Sequence, residues 1–225
     1  MASHDQTSQS TLIEALLDRR GRLYSADLGL DLTQGTPSAL FRWLVASKLM
    51  AARIEAQLAM QAADALAKAG WRTPQAMADA SWEDRAAVLK DAGYARFDEK
   101  TSSQLQSVCD RLIEDYDGDL RALREDAGYD VEAERKQLKR LKGVGDVGVD
   151  IFFRETQTAW SELHPFIDKK AKKTAKKLGL PPDGEGLAEL VDTEDFPRLV
   201  AALVRVELEG DAKRVRNLAA EYEAA

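Results

Sequence analysis

The sequence predicts an all-α protein, on two observations. Charged residues make up 32% of the chain, Ala and Leu are abundant, and β-branched runs are few, which is a helix-forming profile. Start and stop signals also punctuate the chain as helices require, with Ser, Thr or Asp before a segment and Gly or Pro after it. At 225 residues the chain has length for an ample core, as one domain or as two small lobes.

The elements follow in order. Residues 1–10, MASHDQTSQS, read as a disordered polar tail. Residues 11–20 form a short helix, and 23–37 an irregular connection through Gly29, Gly35 and Pro37. Residues 38–51 are apolar and read as a buried helix. A helix over 54–69 is stopped by Gly70. Thr73-Pro74 opens a short helix to residue 80. Ser81-Trp82-Glu83-Asp84 is a capped start for the next, which ends at Gly93. Helices over 100–116, 120–126 and 131–141 come next. A lysine-rich helix, a Pro-Pro-Asp-Gly turn at 181–184, and helices over 187–191, 197–209 and 212–222 complete the chain.

Between these elements lies LKGVGDVGVDIFF, residues 141–153, entered from the charged run VEAERKQLKRL. Gly143 and Gly145 flank Val144, and Gly148 follows. Two glycines around one residue permit a tight turn, because glycine tolerates positive φ. The next helix then starts with its amide N–H groups open, a ready site for a phosphate oxygen. Helix, Gly-Val-Gly turn, helix resembles the helix-hairpin-helix element that grips a DNA backbone. On these residues alone a packed turn and a phosphate cradle are equally good readings.

The second informative stretch is HPFIDKKAKKTAKKLGLP, residues 164–181. Lys169, Lys170, Lys172, Lys173, Lys176 and Lys177 fall within one helical sector about 160° wide. Ala171, Ala175 and Leu178 take the other side. Asp168 stands at the N-cap, and Gly179 with Pro181 ends the helix. A solvated lysine face is the ordinary reading of such a helix. The charge distribution favours a binding patch instead. The chain carries −7, yet residues 131–179 hold 12 Lys/Arg against 7 Asp/Glu, an excess of five that leaves −12 elsewhere. Local positive charge on an acidic body fits a localised phosphate contact.

These motifs, in this order and spacing, resemble the helix-hairpin-helix base-excision DNA glycosylases of the endonuclease III superfamily. There a hairpin of form L-P-G-V-G is followed some twenty residues on by a catalytic Asp in a V-D-T-H-x-x-R-x-x-x-R-L-G pattern. LKGVGDVGVDIFF is similar to the hairpin, and PFIDKKAKKTAKKLGLP to the aspartate segment. More faintly, FRWLVASKLMAARIEAQLAMQAADAL is similar to the family's early helix and VLKDAGYARFDEKTSSQLQSVCDRL to its I-G-x-x-x-x-K-A-x-x-I segment, so residues 38–181 are covered. The resemblance implies a two-lobed fold with an active-site cleft between the lobes. Residues 38–158 would form a six-helix lobe ending in the hairpin, and 11–37 with 159–225 a second lobe carrying Asp168.

It also implies site residues and partners. Asp168 would be catalytic. Lys142, Gly143, Val144, Gly145, Gly148, Lys169, Lys170 and Lys173 would hold DNA, and Arg53 would fill the gap left by a flipped base. Asp146 and Asp150 should turn away from phosphate or pair with lysine. Two departures narrow the activity. The lyase lysine, two residues after the second hairpin glycine, is Val147 here, which has no amine for a Schiff base. Cys109 is the single cysteine, so a four-cysteine iron–sulfur cluster has no ligands. What remains is a monofunctional, cluster-free DNA glycosylase. Its partner would be double-stranded DNA carrying damage, with the protein a monomer and no membrane involved. A monovalent cation at the hairpin backbone is the one cofactor the resemblance admits.

Two other readings stay open: a DNA-binding protein on the same scaffold without catalysis, and a helical module whose lysine face docks an acidic protein. The lone Cys109 fits a reducing cytoplasm and reads as a buried small hydrophobe between Leu105 and Leu112; a DNA partner would place the protein at the nucleoid. The histidines, His4 and His164, form no pair for a metal or a triad, and His164 reads as structural. Tyr94, Trp160 and Phe166 are candidates for base stacking, with core packing the ordinary use of each.

Overall fold

The structure, a computed structural model, describes the backbone of residues 2–223 and the side chains of residues 9–217. Among these residues it is helical throughout and holds no strand. The chain divides into two compact units, one formed by residues 1–27 with 163–225 and the other by residues 28–162.

The first unit opens with α1 (Ala2–Arg20) and the single turn α2 (Tyr24–Asp27). Helix thus reaches back through the segment expected as a disordered tail. The side chains of residues 1–8 lie outside the described residues.

The second unit holds α3 (Pro37–Met50), α4 (Ala56–Lys68), α5 (Pro74–Ala78), α6 (Trp82–Leu89), α7 (Asp98–Tyr116), α8 (Leu120–Asp126), α9 (Val131–Leu138) and α10 (Asp146–Thr156), more helices than the six expected. Starts fall within two residues of where the sequence puts them. Thr36, Thr73, Ser81, Asp119 and Asp130 each accept a backbone N–H of the first turn. Helix α3 is the centre of this unit. Leu40, Phe41, Trp43 and Leu44 are at most 1% exposed, and such side chains contribute about 1.5–3 kcal/mol each by burial. Trp43 Nε1 donates to Phe152 O at 3.1 Å, joining α3 to α10. Gly148 faces the end of α3, where a Cβ would make only ordinary contacts, 3.7 Å from Ala51 Cβ and 4.0 Å from Ser47 O.

The chain then returns to the first unit with α11 (Lys169–Leu178), α12 (Gly184–Ala188), α13 (Phe196–Glu209) and α14 (Ala212–Glu223). Helix α13 buries Phe196, Leu199, Val200 and Leu203 completely and packs on α1 and α11.

Several boundaries differ from expectation, three of them for a clear local reason. Helix α12 starts at residue 184, not 187, because Asp183 caps it through Gly186 N at 2.8 Å. Helix α9 stops at Leu138, not 141, because the chain tightens into a turn there, with Leu141 N donating to Leu138 O. Helix α6 passes into one π-helical turn, Lys90–Tyr94, which Gly93 ends at φ +85°. Residues 28–37 and 159–162 also fall within the second unit. Arg42 Nη2 donates to Leu28 O at 3.2 Å, and Arg124 clamps Glu162, so these connections are tied to helices of that unit.

Candidate nucleic-acid interface

The hairpin is built from the turn outward. Val144 N donates to Leu141 O at 3.0 Å, closing a β-turn with Gly143 in its third position at φ +78°, the left-handed conformation a type II turn requires there. A Cβ on Gly143 would come within 2.5 Å of Gln104 Oε1 and displace the end of that side chain, but it is the positive φ that calls for glycine. Val144 is 4% exposed and anchors the loop, while Lys142, Gly143 and Gly145 are exposed.

Gly145 is the N-cap of α10, in extended conformation, and offers no side chain. The first helical bond runs from Val149 N to Gly145 O. No side-chain hydrogen bond caps the first turn of α10. An uncapped helix N-terminus of this kind suits an anion. Two carboxylates sit nearby, and α9 neutralises both. Asp146 Oδ1 pairs with Lys139 Nζ at 2.7 Å, and Asp150 Oδ1 with Arg135 Nη2 at 2.8 Å. Val147 is 53% exposed on the first turn of α10.

In the first unit, Asp168 closes α11. Its Oδ1 accepts from Lys170 N at 2.8 Å and from Ala171 N at 3.0 Å, and the residue is 5% exposed. His164 stacks edge-on against Phe196, ring centroids 4.8 Å apart, and the His164–Pro165 peptide is cis. Gly184 lies under Pro165 O so closely that any Cβ would collide.

The lysine helix has the two faces its spacing predicts. Ala171, Thr174, Ala175 and Leu178 are buried and the six lysines exposed. They are not equivalent. Lys173 Nζ and Lys177 Nζ pair with the two oxygens of Glu207 on α13, at 2.5 and 2.7 Å. These bonds hold the Glu207 carboxyl down to about 2. Lys169 and Lys170 form no ion pair with a described residue.

The remaining candidates fall as follows. Arg53 is exposed in the turn after α3. Trp160 and Tyr94 are 1% and 2% exposed; Trp160 packs edge-on against Phe152, and Tyr94 Oη donates to Leu49 O. Both serve the core. Phe166 is half-buried. Cys109 is fully buried, and burial pushes its thiol up to about 12, so it is inert packing. Sequence reasoning missed Lys48, a lysine inside the apolar helix α3 that is 7% exposed and hydrogen-bonded to Gln104. A charged residue amid PSALFRWLVASKLM was the available signal.

Among the described residues no group of three or more His, Cys, Asp or Glu is placed to hold a metal ion, and no helix is long and apolar enough to cross a membrane. No protein-family model matches the chain, and no curated protein matches it. One solved structure that the chain is similar to is a trapped endonuclease III–DNA covalent intermediate in an estranged-adenine complex. The identity is 19% and the TM-score 0.49, over 74% of this chain and 73% of that one.

Proposed function

We propose that the protein binds DNA through the hairpin and acts as a monofunctional DNA glycosylase, with Asp168 as its catalytic carboxylate. The observation that carries the DNA reading is the hairpin itself: a turn fixed by Gly143 at positive φ, leading into a helix whose first amides no side chain caps. Phosphate oxygens are the natural acceptors for those amides. Lys142, Lys169 and Lys170 add charge, while Lys173 is already committed to Glu207. A monovalent cation, the one cofactor this reading admits, would be held by backbone carbonyls of the hairpin.

The chemistry follows from what a glycosylase must do. The target nucleotide leaves the stack, at a cost of a few kcal/mol that is least for a damaged or mispaired base. As the N-glycosidic bond breaks, the sugar gains oxocarbenium character. A fixed carboxylate stabilises that cation and orients water. Asp168 is rigidly held by two backbone N–H groups. Val147 supplies no amine, so the strand would stay intact after the base leaves.

The same capping bonds favour a second reading, in which Asp168 only closes α11 and the protein binds damaged DNA without cleaving it. One experiment separates the two. Duplexes carrying different lesions are incubated with the protein, scored for base release, and then heated in alkali. Release with strand scission only after alkali is the expected result. Tight, salt-sensitive binding with no base released from any duplex would favour the binder. No binding to any duplex would remove both.

A further inference from the structure

The second unit contains a cavity of about 640 Å³, within the usual range for a small-molecule site. Its wall is assembled from Lys48 at the end of α3, Arg53 in the turn after it, Arg96 beyond the π-helical turn, Lys100 and Gln104 on α7, and Gly143 of the hairpin. Four of the lining residues are cationic and none is a carboxylate.

Lys48 is the informative member. It is 7% exposed, and its Nζ donates to Gln104 Oε1 at 2.6 Å, a neutral acceptor. Burial, with the positive Lys100 second, holds its ammonium down to about 8. Taking an ammonium out of water is costly unless an anion accompanies it. If Lys48 served only to position Gln104 over Gly143, a neutral donor would do the same at lower cost. Arg96 packs over the Phe97 ring, 5.4 Å from its centroid, yet three further cations around one cavity would then add repulsion to a buried ammonium. An anionic guest accounts for all four charges together.

We propose that this cavity is a phosphate site, with Lys48 and Lys100 as the charge partners of the phosphate and Gln104 holding Lys48 in place. The phosphate belongs either to a nucleic-acid strand, which rests on the DNA-binding reading above, or to a free phosphate compound, which does not. In the first case the cavity adds a contact beside the one made by the hairpin amides.

The test uses the whole chain with inorganic phosphate as probe. Phosphate is expected to raise the melting temperature in a saturable way, beyond chloride at matched ionic strength, because it binds the folded state. Lys48→Met should abolish that shift. It should also raise the melting temperature in phosphate-free buffer, since a buried cation has gone. Lys100→Met, at an exposed position, should weaken the shift without disturbing the fold, so a poorly folding Lys48 variant would not leave the question open. A duplex arm identifies the source. Loss of about one unit of salt slope in Lys48→Met marks a strand phosphate, whereas an unchanged slope with phosphate binding lost marks a free phosphate compound. Equal melting temperatures in phosphate and chloride would overturn the proposal, even if duplex binding through the hairpin is intact. Failure to bind any duplex would leave the phosphate titration to decide the cavity alone.

Discussion

Two helix starts in this protein are opposites. Helix α10 begins at Gly145, which has no side chain, and no side-chain hydrogen bond caps its first turn. Helix α11 begins at Asp168, whose Oδ1 takes the amides of Lys170 and Ala171. The same macrodipole favours negative charge at both ends. In α10 the first-turn carboxylate, Asp146, is paired with Lys139, while in α11 Asp168 puts its charge directly on the first amides. On the proposed reading the hairpin amides would hold the phosphate, and α11, already closed by Asp168, offers no such open amides. Asp168 gains rigidity from the closure, which a catalytic carboxylate and a simple cap would both use.

The largest expected effect tests that ambiguity. Asp168→Asn keeps a capping oxygen and removes the charge. If Asp168 stabilises the oxocarbenium-like state, base release should fall by about 10²–10³-fold, while stability changes by about 1 kcal/mol at most. DNA affinity should hold or rise, since a like charge to phosphate has gone. Single-turnover base release, read beside a melting curve, checks both. Undiminished release in a folded Asp168→Asn protein would reduce Asp168 to a cap.

The next effect comes from closing the open end. Gly145 has φ −105° and ψ −175°, and a Cβ there would meet nothing within 4 Å. Gly145→Asp should therefore fit, cap α10 and add a few tenths of a kcal/mol of stability. It should also put a carboxylate where a phosphate is expected, lowering duplex affinity by roughly tenfold or more and the salt slope by about one unit. A variant that gains stability while losing DNA is hard to explain by damage to the fold. Unchanged affinity would move phosphate binding away from the hairpin.

Much of this contrast was legible in the sequence. Helix starts at Thr73, Ser81, Asp119, Asp130 and Asp168 were marked by residues whose side chains cap locally, and local chemistry needs no knowledge of the fold. The lysine and alanine faces of α11 were legible because helical periodicity alone sorts them. What escaped depended on partners far along the chain. Nothing near Lys173 announces Glu207, and nothing near Lys48 announces Gln104. The neutralisation of Asp146 and Asp150 was expected in kind, yet its partners on α9 included Arg135 as well as Lys139. The turn at Gly143 and its need for positive φ were marked by sequence, while the Gln104 side chain that lies over it was not.

Helix α9, which leads into the open end, contributes a smaller effect that depends on pH. Glu134 is fully buried, and neither carboxyl oxygen meets a hydrogen-bond donor among the described residues. Burial, and then the neighbouring Glu162 carboxylate that Arg124 clamps, push the Glu134 carboxyl above the ordinary carboxylate range. The folded state thus keeps a proton that the unfolded chain gives up. Its stabilising effect is complete below the unfolded value and is lost as pH rises through the raised folded one. Glu134→Gln should flatten this decline, so that the melting temperatures of variant and parent diverge toward alkaline pH. Parallel curves would mean that Glu134 is ionised in the fold.

The smallest effect lies on the closed helix itself, among lysines that sequence cannot tell apart. Lys170 forms no ion pair with a described residue, while Lys173 shares Glu207 with Lys177. Lys170→Ala should lower the salt slope of duplex binding by up to about one unit, if its ammonium releases a counterion on binding. Lys173→Ala should change the slope by less, because its charge is already compensated inside the protein. Its signature should appear in acid instead. Glu207, held to about 2 in the fold against an ordinary 4.5, supports stability above the unfolded value and loses that support as pH falls through the folded one. Removing Lys173 leaves only Lys177 and Thr174 on that carboxylate, so the acid limb of the stability curve should move to higher pH, more so at low salt than at high salt. Equal salt slopes for the two variants, with acid stability unmoved in Lys173→Ala, would mean that the Glu207 pairs do not persist in solution and that all six lysines act as one solvated face.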